Sequence, residues 1–121
     1  MAIQSKMLSR AKFDELRSVA AATVPAAYAT AGSTIGDPLE YPAVAILFQN
    51  LTNVTLVFSD DGVRDVFKLP QGGQFVLDCG SNKSNLTGWL AYGEGTQWYV
   101  RYQAAANPTS GEVCMSVLAT V

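Results

Sequence analysis

Histidine is absent from this chain of 121 residues. That removes Ser–His and Cys–His catalytic pairs, histidine general bases and histidine metal ligands together. Two cysteines, Cys79 and Cys114, cannot on their own complete a structural zinc site. Charge is scarce as well. Asp, Glu, Lys and Arg make up 15% of the residues, against about 25% in an ordinary soluble domain. A weakly charged surface is less strongly held apart from its neighbours, which favours assembly. A Thr/Ser/Asn/Gln surface on a monomer is the plainer alternative. No run reaches the roughly 18 apolar residues of a membrane span, and the apolar stretch 18–31 is short and mostly alanine. Polar or charged residues interrupt every apolar stretch among the first ten residues. No export signal is read there, and a cytoplasm is the expected place of synthesis. The cysteines are then expected as free thiols, with a cross-sandwich disulfide as the alternative. The Asn-x-Ser/Thr triplets at Asn50, Asn53, Asn82 and Asn85 are expected to be accidents of a polar, turn-rich sequence.

What the chain does have is a rhythm. From Tyr41 onward, short alternating apolar segments are separated by turns rich in Gly, Asn, Asp and Pro. The pattern predicts strands over 43–49, 54–59, 63–69, 74–79, 88–92, 96–103 and 112–119. Asn50–Asn53 reads as a hairpin turn, and Asp60-Asp61-Gly62 as a tight reversal. Within these strands, Trp98, Val100 and Tyr102 share one face and Gln97, Tyr99, Arg101 and Gln103 the other. Val113, Met115 and Val117 should point inward. The length fits one domain, and the fold class is all-β: a two-layer antiparallel β-sandwich, jelly-roll or immunoglobulin-like, with an N-terminal extension.

The extension, residues 1–17, reads as coil or a short helix starting at Ser9, and the sandwich domain as 18–121. Its net charge is +2, while the rest of the chain is −4. No basic stripe crosses the body, so sequence-specific nucleic-acid binding is not expected. The arm instead suits contact with a neighbouring subunit and should add to assembly rather than to the fold. Residues 18–31 are ambiguous. Alanine favours helix, whereas Pro25 and the flanking Thr23, Val24, Tyr28 and Thr30 favour an edge strand. Read as a strand, the segment packs closely against a partner.

Chemistry-bearing constellations are few. Asp60 and Asp61 are adjacent, which suits capping of a turn better than shared acid–base work. With Asp65 they are too sparse for an EF-hand, and a loose calcium site is the functional alternative. Gly93-Glu94-Gly95 has no lysine and no following helix, so it is no phosphate cradle. No catalytic, cofactor-binding or metal-ligating residue is assigned. The candidate contact surface comprises Arg10, Phe13, Val24, Tyr28, Tyr99 and Arg101. Tyr99 beside Arg101 would stack on a sugar or anchor a protein contact.

Several segments together resemble small virion proteins of tailed bacteriophages. They are FQNLTNVTLVFSDDGVRD (Phe48–Asp65), FKLP (Phe67–Pro70), FVLD (Phe75–Asp78), SNK (Ser81–Lys83), GTQWYVR (Gly95–Arg101) and PTSGEV (Pro108–Val113). The resemblance implies a multi-copy, non-enzymatic structural component of the neck, collar or tail. It would be assembled in the host cytoplasm, located in the virion, and partnered by its own copies and other neck or tail proteins. It transfers no catalytic residue. A carbohydrate- or receptor-binding module and a capsid decoration protein are the alternative functions.

Overall fold

The computed structural model describes residues 11–78 and 92–120. Their strands are β1 (Ala11–Phe13), β2 (Arg17–Ala20), β3 (Ala43–Asn50), β4 (Leu56–Ser59), β5 (Phe67–Leu69), β6 (Gln74–Asp78), β7 (Tyr99–Tyr102) and β8 (Glu112–Thr120). They form two antiparallel sheets, the all-β, sandwich-like arrangement the alternation predicts. The larger runs β1-β8-β3-β6, with β2 also on β8, and the smaller runs β5-β4-β7.

The inward residues follow from period-two alternation. Ile46 and Phe48 on β3, Leu56 and Phe58 on β4, and Val113, Met115 and Val117 on β8 are all buried. Phe48 sits centrally, with ring centroids at 4.8 Å from Trp98, 5.1 Å from Phe67 and 5.6 Å from Phe58. Edge-on and offset geometries of this kind add to what burial alone supplies. Trp98 and Tyr102 face this core, as their alternation implies.

The N-terminal segment departs from expectation. Ala11–Phe13 and Arg17–Ala20 are strands, not helix, and both pair with the same edge of β8. Phe13 stands opposite Leu118 and Arg17 opposite Met115, so Asp14, Glu15 and Leu16 face only Ser116 and Val117. That is a β-bulge, one extra residue that shifts the alternation. It turns the Asp14 side chain inward beside Arg17, and both are buried. Arg17 Nε donates to the Asp37 carbonyl at 2.7 Å, Nη1 to the Glu15 carbonyl at 2.7 Å and Nη2 to the Pro38 carbonyl at 2.9 Å. Nη2 also lies 3.4 Å from Asp14 Oδ2. One guanidinium thus fastens the long 32–42 loop to the sheet. Gly36, at φ +65°, leaves room for the Arg17 stem, where a Cβ would stand 2.7 Å from Cγ. Residues 11–17 therefore belong to the folded body, contrary to their expected role as an arm serving assembly alone.

The alanine-rich segment is neither one long strand nor a helix. After β2 comes a 3-10 turn, Ala21–Thr23, and then an irregular path that covers the β7 edge. The Pro25 carbonyl accepts from Tyr102 N at 2.9 Å, and the Ser33 carbonyl from Val100 N at 2.8 Å. The Asn50–Asn53 turn is likewise no hairpin, because β3 and β4 lie in different sheets. Asn50 closes this crossover. Its buried Nδ2 donates to the Val54, Leu69 and Pro70 carbonyls at 2.8–3.1 Å, and its Oδ1 accepts from Thr52 N and Oγ1. The expected strand over 63–69 is confined to Phe67–Leu69, and Val63 is exposed. Cys79, Asn82, Asn85, Trp89 and Arg10 lie outside the described residues.

Candidate contact site on the smaller sheet

Tyr99 and Arg101 leave β7 on its outward side, as the alternation requires. Their cross-strand partners on β4 are Ser59 and Val57. Tyr28, far off in sequence, arrives above them from the loop that covers the β7 edge. Its ring meets Tyr99 edge-on at 6.2 Å, and the Arg101 guanidinium lies 5.7 Å from its centroid. Three of the six expected contact residues therefore converge.

Asp65 ties Tyr28 to Arg101, whereas the sequence places it only beside Asp60 and Asp61 in a turn or loose calcium site. Arg101 donates to it twice, Nη2 to Oδ2 at 2.6 Å and Nε to Oδ1 at 3.2 Å, while the Tyr28 hydroxyl donates to Oδ1 at 2.6 Å. The Asp65 break in the apolar alternation of 63–69 was the available signal. Those donors, Arg101 first and Tyr28 second, hold the Asp65 carboxyl below the ordinary carboxylate range against the opposing effect of burial. Burial first, and then the Asp65 hydrogen bond and charge, push the Tyr28 phenol above its ordinary value. The group is preorganised as an ion pair capped by a neutral phenol. Gly62, at φ +76°, allows the close approach of Tyr99, because a Cβ there would stand 3.0 Å from Cζ of the ring.

Beside this group is an open cleft of about 230 Å³, lined by Val57, Asp65, Val66, Phe67, Lys68, Arg101 and Gln103. An apolar floor with a few polar groups at its rim can hold a small polar ligand. The fork of Arg101 is already engaged by Asp65, which leaves Lys68 as the exposed cation of the cleft.

The other expected contact residues lie elsewhere. Val24 is 3% exposed and packs in the core, so it presents no surface. Phe13 is 73% exposed and belongs to the larger sheet. Asp61 behaves as a turn cap. Its Oδ1 accepts from Val63 N, Arg64 N and Ser59 Oγ, and those bonds, the backbone ones foremost, depress its pKa strongly. Among the described residues no three His, Cys, Asp or Glu side chains come together to hold a metal ion. No helix among them is long and apolar enough to cross a membrane. Comparison with known proteins gives no match to any family model, curated protein or solved structure.

Proposed function

We propose that the chain is a non-enzymatic structural subunit of a bacteriophage virion, present in the neck, collar or tail as one of several identical copies. The observation that carries the assembly reading is the contrast between the two outer faces. On the smaller sheet, outward Val57 and Ser59 are buried beneath the chain's own loops and side chains. On the larger sheet, outward Phe13 and Val76 are 73% and 58% exposed. With half-buried Leu118, Ala45 and Leu47 between them they form one apolar band across the sheet, and a contiguous apolar patch of this kind marks a surface that something else covers. The phage assignment rests on the sequence resemblance, which runs from Tyr41 to Val117. Proteomics of purified particles from a phage encoding the chain tests it. Recovery in multiple copies with neck or tail proteins supports the reading, recovery on the shell favours a decoration protein, and absence from the particle overturns both.

A second reading, a carbohydrate-binding module, is favoured by the cleft beside Tyr28, Asp65 and Arg101. Glycan-array binding that is lost in Tyr99→Ala and Lys68→Ala, with unchanged melting, would establish it.

A further inference from the structure

We propose that the outward face of the larger sheet is where a second copy of this chain packs, sheet against sheet, an inference that rests on the assembly reading above. The strand register defines the face row by row. Phe13 pairs with Leu118, Leu118 with Ala45, and Ala45 with Asp78, all on the outward side. The next row is Ser116, Leu47 and Val76, and the one after it is Ser18, Cys114, Gln49 and Gln74. The first two of these rows are mainly apolar. The third is polar but uncharged. Asp78 and Glu112, at the margins, are the only charges among the outward residues of these strands, and no basic side chain is among them. A face without strong charge of either sign can meet a copy of itself without burying opposed like charges at its centre.

Its size also suits a self-contact. Its strands hold 29 residues, which at about 4.8 Å by about 3.4 Å each give roughly 470 Å² per copy, or about 950 Å² for the pair. That is close to the roughly 1,000 Å² a specific interface needs, and it fits a weak, reversible self-contact that further copies or partners reinforce. A two-fold axis parallel to the strands would lay the β1 column of one copy over the β6 column of the other. Phe13 of each copy then lies over the Asp78 end of the other copy's β6, one row, about 7 Å, from its exposed Val76. Each row stacks on the same row of the other copy, with the sheets about 10 Å apart.

The test compares native mass and sedimentation of the wild-type chain with Leu47→Lys, Val76→Lys and Val63→Lys. Val63 is 80% exposed and lies outside this face, so it serves as the control. Val76 is exposed and lies on an edge strand among the described residues, so its substitution leaves the core intact even if Leu47→Lys fails to fold. The wild-type chain and Val63→Lys should form dimers or larger species. Val76→Lys, and Leu47→Lys if folded, should dissociate at least tenfold more readily. Wild-type oligomers that persist undiminished in Val76→Lys overturn this face while leaving the assembly reading standing. A wild-type monomer at high concentration overturns both.

Discussion

Replacing Arg17 with methionine tests whether the N-terminal segment is part of the fold. The substitution keeps an apolar stem against Gly36 and removes only the fork. Three main-chain carbonyls, of Glu15, Asp37 and Pro38, lose their donor, and the buried Asp14 carboxylate loses its cation. An orphaned buried acceptor costs about 1–3 kcal/mol, and breaking a buried ion pair from one side about 3–5 kcal/mol. These overlap, and Asp14 keeps the N–H groups of Glu15 and Glu40, so a total of about 3–4 kcal/mol is expected. For a chain of this length, with an unfolding entropy of about 2.1 cal/mol/K per residue, that lowers Tm by about 12–16 °C. Circular-dichroism melts and urea titration measure it. Arg17→Lys keeps the charge but not the fork and should fall between the two. A drop of less than about 4 °C in Arg17→Met would refute the reasoning. The fastening would then contribute nothing, and 11–17 would be dispensable to the fold.

The same pair sets an acid limit. Burial works to raise the Asp14 carboxyl, but the N–H groups of Glu15 and Glu40, together with Arg17, outweigh it and lower the pKa. A carboxylate with a lowered folded pKa contributes its full stability above the unfolded value of about 3.9, and loses it as pH falls through the folded value. Asp14→Asn should therefore be less stable than wild type at pH 7 and show a shallower loss between about pH 5 and pH 2; parallel curves would contradict this. Asn50→Ala orphans the Val54, Leu69 and Pro70 carbonyls and should cost about 3 kcal/mol or more by urea unfolding, whereas a loss under about 1 kcal/mol would remove its role at the crossover. Trp98 Nε1 is buried with no acceptor among the described residues, so Trp98→Phe should cost about 1–2 kcal/mol and Trp98→Ala about 3–5; equal costs would show that the N–H is bonded. In Asp65→Asn, the Tyr28 phenol should titrate nearer its ordinary value, read as tyrosinate absorbance and assigned by its absence in Tyr28→Phe. An unchanged titration would break the proposed coupling.

The legible part of the fold lies where alternation is undisturbed. β3, β4, β6, β7 and β8 follow the period-two pattern, and the outward position of Tyr99 and Arg101 follows from the same count. The failures have specific causes. The bulge at Asp14–Leu16 breaks the phase between β1 and β2, so neither short strand stands out, and the charged residues there look like a helical arm. The alanines of 18–31 carry helix propensity and little packing preference, and their path is decided by the unpaired edge of β7, which no local sequence displays. Asn50 looks like a turn residue because it is one. Only the tertiary structure shows that the turn crosses between sheets. The contact site was half legible for a similar reason. Tyr28 and Asp65 reach Arg101 across separations of 73 and 36 positions, and no spacing rule spans them.

Assembly is the central claim, and an electron-microscopy reconstruction of the purified protein, or of the particle that contains it, tests it most directly. Symmetric copies of this sandwich are expected, with Phe13, Leu47, Val76 and Leu118 of one copy buried against the same face of another. Isolated single copies, or an assembly in which that face points into solvent throughout, would contradict it.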